Sequence, residues 1–167
     1  RGLGDVYKRQ VLLTMIGWLE LDDLKQFRQL HSKTPGHPEI EIDGVECTTG
    51  PLGQGFGMST GMALAESFLN NTLKSIDEEA SSLVDHFTYV IASDGDMQEP
   101  ITLGSASLSG HLGLSKLIVF YDSNEVQISG GVSRSDSTDY GAVFKGFGWH
   151  VQKIDGHDHD AIRIAIR

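Results

Sequence analysis

The chain has 167 residues, 39% hydrophobic and 22% charged, which suits one α/β domain with a real core. Its net charge of −10 argues against a nucleic-acid partner, whose phosphates need a basic face, but not against an anionic cofactor held by backbone N–H groups and a metal. The single cysteine, Cys47, allows no intrachain disulfide and fits a reducing, cytoplasmic compartment, and no apolar run is long enough to predict a membrane-spanning helix.

Arg1 to Gln10 carries no periodic apolar pattern and is expected to be a non-native or poorly ordered start, so that the domain proper covers residues 11–167. Val11 to Leu19 and Asp22 to Leu30 read as short helices, the second with Asp22 as N-cap and Leu24, Phe27 and Leu30 at helical spacing. His31 to Thr49 is a long polar loop punctuated by Pro35, Gly36, Pro38 and Gly44, of the length that is usually functional or disordered. The glycine-rich Gly50 to Gly57 opens a helix running to about Leu69, with Met58, Met62, Ala65 and Leu69 on one face. Asn70 to Asp85 is a polar connection.

The period then changes. Phe87 to Ala92 (FTYVIA) and Leu117 to Tyr121 (LIVFY) read as buried strands, with a small-residue helix over Thr102 to Leu112 between them. Ser133 to Trp149 starts as a polar loop and continues as a helix, His150 to Ile154 reads as a third strand, and Asp158 to Arg167 as a last helix. Alternating strands and helices predict an α/β fold, a mainly parallel sheet with helices on both faces.

The chemistry concentrates at the strand ends. Ser93-Asp94-Gly95-Asp96 follows the first strand directly, where open parallel sheets bind ligands. Gly95 lets the backbone approach a phosphate, and Asp94 offers a hard oxygen to Mg²⁺ or Ca²⁺. The second strand ends in Tyr121-Asp122-Ser123-Asn124, so Asn124 lies at the same sheet edge with an amide oxygen of the same ligand type. Two ordinary strand-to-helix turns would also carry such residues. His37, between Gly36 and Pro38 in a polar loop, is placed for contact with a substrate rather than for a core. The Gly53-Gln54-Gly55 spacing matches the start of a dinucleotide fingerprint, but its third glycine would fall on Met58 and the element precedes the sheet, which excludes a nicotinamide cofactor.

Asp-Gly after one strand and Asn124, 30 residues after Asp94, resembles the diphosphate and metal motif of thiamine-diphosphate enzymes, with Ser93 in place of the usual first glycine. HSKTPGHPE (31–39), GVECTTGPLGQG (44–55), YDSNEVQISG and GFGWHVQKIDGHD look like signature segments of the transketolase family, and the similarity runs from about residue 11 to the end. The resemblance implies the thiamine diphosphate-binding fold as an incomplete domain, with thiamine diphosphate and Mg²⁺ (or Ca²⁺) as cofactors. It implies that Asp94, the Asn124 side chain and the Val126 carbonyl bind the metal. Gly95 and Asn124 would contact the diphosphate, and Gly50, Pro51 and Leu52 would line the thiazole and aminopyrimidine site. His37 would hydrogen-bond the donor sugar, and Glu99 would lie at the subunit interface near the cofactor's activating carboxylate.

The implied activity is transfer of a two-carbon ketol unit between sugar phosphates by a homodimer, with no membrane and no nucleic acid involved. Pro100 departs from the family's glycine, a change that the first turn of a helix tolerates. Further family histidines are expected outside residues 11–167, and the activating carboxylate in a second domain of the partner subunit, so the chain is expected to be a fragment. A dihydroxyacetone synthase, one subunit of a split transketolase, and a degenerate binding module remain the alternatives.

Overall fold

The computed structural model describes residues 3–37, 39–127 and 130–167. Pro38 of the first signature segment and Ile128-Ser129 of the third lie outside the described residues. The described elements are α1 (Leu3–Met15), α2 (Leu21–Lys25), α3 (Gln54–Ile76), β1 (Thr88–Ser93), α4 (Asp94–Met97), α5 (Pro100–Leu112), β2 (Leu117–Asp122), β3 (Val126–Gln127), β4 (Gly130–Gly131), α6 (Tyr140–Gly146) and α7 (His159–Ile166). Short 3₁₀ turns cover Glu79–Leu83 and Val132–Arg134.

β1 and β2 pair in parallel, in register from Thr88 opposite Leu117 to Ser93 opposite Asp122. Parallel pairing needs a crossover, and α4 and α5 supply it. On β1 the alternation is strict: Val90 and Ala92 point into the core, while Tyr89 and Ile91 stay 65% and 43% exposed. α3 packs on the sheet and on α5, and Phe56, Ala63, Val90, Ala92, Ala106 and Phe144 join in one core. The opposite face, with Tyr89 stacked near Phe120, is open among the described residues. A smaller cluster of Leu13, Leu19 and Val45 holds the start of the chain to the long loop.

The buried face of α3 is not the expected one. Met58 and Leu69 are exposed, and the face turned inward is Phe56, Ser59, Thr60, Ala63 and Glu66. Its polar members are satisfied: the Ser59 and Thr60 hydroxyls donate to the Phe56 carbonyl, Thr60 shares a hydrogen bond with Ser109 of α5, and Glu66 pairs with Lys116 at 2.6 Å. Small residues allow the close approach. A methyl group on Gly110 of α5 would stand 1.9 Å from the Phe147 carbonyl oxygen, so the loop after α6 rests directly on that helix.

Four further expectations are corrected. Helix α1 begins at Leu3, so residues expected to lie outside any element are helical, and the buried Gln10 donates to the Pro35 carbonyl at 3.0 Å. Asp22 lies inside α2 instead of capping it; Glu20 is the N-cap and Asp23 closes a capping box with it. α3 continues to Ile76, well into the expected polar connection. His150–Ile154 is not a strand, because neither β1 nor β2 pairs with it, although Val151 packs against the core.

Candidate functional site

β1 delivers Asp94 to the end of the sheet and buries it to 3% exposure. Its Oδ1 accepts from the Tyr121 hydroxyl at 2.5 Å, and its Oδ2 accepts from the Glu125 backbone N–H at 2.9 Å. Since Ser93 and Asp122 are level in the register, these bonds join the two strand ends. Glu125 sits at φ 60, a left-handed conformation costly for a side chain, and its N–H bond to Asp94 together with its carbonyl's bond from the Val132 N–H holds it there. Asn124, exposed, accepts from the Val126 N–H at 3.0 Å and donates to Asp122 at 2.9 Å. The half-buried Val126 opens the β3–β4 hairpin.

Ser93 has φ −115, an extended conformation open to any residue, so serine fits where the family motif has glycine. Its N–H donates to Asp96 Oδ2 at 2.9 Å, and its hydroxyl adds a bond that glycine could not make, donating to the same oxygen at 2.8 Å. Asp96 Oδ1 accepts from the Gly53 N–H at 2.9 Å, which ties the strand-end turn to the glycine-rich segment. No spacing rule pointed to Asp96, because its second partner lies 43 residues away in the chain.

The Gly50–Gly53 segment lies along this turn. A methyl group on Gly95 would come within 3.2 Å of Leu52, and one on Gly53 within 2.8 Å of the Glu99 Cβ. Glu99 caps α5 and Pro100 takes its first turn, where a missing N–H costs nothing. The ring of the exposed His37 lies against Gly50: an added Cβ there would meet its Cγ at 3.4 Å. The structure therefore brings His37, Gly50, Leu52, Gly95, Glu99 and Asp94 into one continuous neighbourhood, with Asn124 and Val126 one residue either side of Glu125.

Tyr121 was not anticipated by the sequence reading. Burial, then its bond to Asp94, raises its hydroxyl far above the ordinary tyrosine range. Tyr140, in edge contact with Tyr121, is pushed up to about 12 by burial and then by its bond to Asp136. The Asp136 carboxyl is held below the usual range by bonds from Thr138 and Tyr140.

Fold and site together define an α/β domain whose polar side chains gather beyond the carboxyl ends of parallel strands, where such sheets hold ligands. A family profile described as "Transketolase, thiamine diphosphate binding domain" matches residues 6–167. The chain belongs to that family. It is 51% identical over 157 residues to a transketolase of Staphylococcus aureus, covering 93% of this chain and 23% of that protein. It is likewise 51% identical over 158 residues to transketolase 1 of Vibrio parahaemolyticus, with the same coverage of 93% and 23%. Among solved structures, transketolase from Leishmania mexicana superposes with a TM-score of 0.85 at 41% identity, over 95% of this chain and 24% of that one. Transketolase from Campylobacter jejuni gives 0.77 at 44% identity, over 89% and 22%. The chain thus spans about a quarter of the length of these relatives.

Proposed function

We propose that this chain is the diphosphate- and metal-binding part of a transketolase, a transferase that moves a two-carbon ketol unit from a ketose phosphate to an aldose phosphate. The observation that supports it best is the junction of Asp94 with the Asn124-Glu125-Val126 turn through the Glu125 N–H bond.

The donor set fits a hard divalent cation. Asp94 is a buried carboxylate with no basic partner among the described residues, an environment that a cation would complete. Each of its oxygens accepts one hydrogen bond and keeps a free lone pair. Asp94, Asn124 and the Val126 carbonyl would hold Mg²⁺ or Ca²⁺, and Gly95 and Asn124 the diphosphate. Gly50, Pro51 and Leu52 would border the rings, His37 would bind the donor sugar, and Glu99 would support the aminopyrimidine side near a subunit interface. When bound, the cofactor supplies the electron sink needed to cleave a carbon–carbon bond beside a ketose carbonyl. The protein's own share is orientation: a carboxylate fixed by Tyr121, a turn fixed by Ser93 and Asp96, and a histidine placed over Gly50. A homodimer in the cytoplasm completes the proposal.

The test is calorimetric titration of the full-length protein with thiamine diphosphate and Mg²⁺, beside a ketol-transfer assay. Asp94→Ala and Asn124→Ala are expected to weaken Mg²⁺-dependent cofactor binding at least tenfold, the scale of lost charge-assisted contacts. Unchanged binding in both variants would refute the metal assignment.

A further inference from the structure

We propose that Asp96 is the positioning residue that sets the distance between the two ends of the cofactor site. The proposal rests on the functional reading above. One carboxylate oxygen holds the strand-end turn through the Ser93 N–H and hydroxyl, while the other holds the Gly53 N–H.

Local structure alone does not account for this arrangement. A capping box at Ser93 needs only one acceptor oxygen from Asp96, and Oδ2 supplies it. Oδ1 is left over for Gly53, and no helix-capping rule calls for that bond. Gly53 sits at φ 77 at the entry to α3, and its preceding neighbour Leu52 lies over Gly95. The carboxylate therefore pins together the segment that would border the rings and the turn that would hold the diphosphate. All three bonds end on a carboxylate and are charge-assisted, hence stronger than neutral ones. Asp94 is fixed separately, by Tyr121 and the Glu125 N–H, so the carboxylate that would anchor metal and diphosphate keeps its own bonds when Asp96 is changed.

Asp96 should thus govern whether a ligand long enough to touch both segments is favoured over one that touches only the turn. Thiamine diphosphate is the first kind of ligand and inorganic pyrophosphate the second. In the full-length protein with Mg²⁺, calorimetry on both ligands measures the ratio of their dissociation constants. Asp96→Ala is expected to weaken thiamine diphosphate about tenfold and pyrophosphate less than about threefold, the scale of one charge-assisted bond. Asp96→Asn keeps one acceptor oxygen and should fall between wild type and Asp96→Ala. If Asp96→Ala does not fold, the ratio in Asp96→Asn decides alone. A ratio unchanged from wild type, whether both ligands weaken equally or neither does, overturns the proposal while leaving the functional reading intact. A wild-type protein that binds neither ligand overturns both.

Discussion

Tyr121 donates its hydroxyl hydrogen to Asp94 Oδ1, so the side chain near the end of β2 orients the buried carboxylate that follows β1. Partners of this kind fix the direction in which a metal ligand points, and their loss typically costs 10- to 100-fold in metal affinity. Tyr121→Phe keeps the ring that packs on Tyr140 and removes only the donor. Mg²⁺ affinity, titrated in the presence of thiamine diphosphate, is expected to fall about tenfold. An unchanged affinity would mean that the Asp94 carboxylate holds its direction without Tyr121.

Gly53 lies at φ 77, and an added Cβ would meet the Ile101 Cγ2 at 2.7 Å and the Glu99 Cβ at 2.8 Å. Two separate costs follow for Gly53→Ala: about 1–2 kcal/mol for a left-handed alanine and roughly 1–3 for overpacking. At about 2–4 °C per kcal/mol for a chain of this size, the melting temperature should drop by roughly 10 °C. Differential scanning calorimetry measures it, and a drop under about 2 °C would show that the α3–α5 contact yields more easily than its geometry indicates.

Much of this site could be read from the sequence, and the reasons are physical. Asp94 and Asn124 stand directly after runs of strand composition, so their placement needed only the period change and the rule for parallel sheets. Asp96 and Tyr121 were missed because their partners are 43 and 27 residues away, and side-chain bonds across elements leave no spacing signal. The helical face of α3 was misassigned because Met58 and Leu69 outrank Ser59, Thr60 and Glu66 in hydropathy, yet those polar groups find partners inside. The strand expected at His150–Ile154 failed for a different reason: its composition suits a strand, but a strand is defined by a ladder that composition cannot supply.

Tyr140 gives the protein an alkaline limit. Its hydroxyl ionises at about 12 in the folded chain, raised by burial and by Asp136, against an ordinary value near 10. A raised folded value means that its stabilising contribution is complete below about pH 10 and is lost as pH climbs through about 12. Tyr140→Phe should therefore flatten the loss of stability over that window, measured by urea unfolding at a series of pH values. Identical slopes for wild type and variant would assign the alkaline limit to other groups.

His37 is exposed and its ring lies against Gly50. In the full-length protein, His37→Ala is expected to raise KM for the donor sugar about tenfold while leaving the thiamine diphosphate dissociation constant within about twofold, because lost uniform substrate binding appears in KM. Steady-state kinetics beside cofactor titration separates the two. A selective loss of cofactor affinity would move His37 from the sugar to the cofactor.

The open face of the sheet should dominate how the 167-residue chain behaves by itself. Phe87, Tyr89 and Phe120 are 52%, 65% and 43% exposed and their rings lie in sequence along that face, with Ile91 at 43% beside them. Contiguous apolar surface of this kind is rare on a monomer and promotes association. The isolated chain is therefore expected to bind a hydrophobic dye and to self-associate as its concentration rises, in analytical ultracentrifugation. Tyr89 and Phe120 point away from the core formed by Val90, Ala92 and Leu117, so Tyr89→Lys with Phe120→Lys should reduce both effects without lowering the melting temperature by more than a few degrees, the scale of about 1 kcal/mol. The two lysines on one copy would also repel those on another, which opposes stacking of the two open faces. If the double variant associates as strongly as the original chain, the driving surface is elsewhere, and the exposed Phe68 and Leu69 on α3 become the next residues to replace.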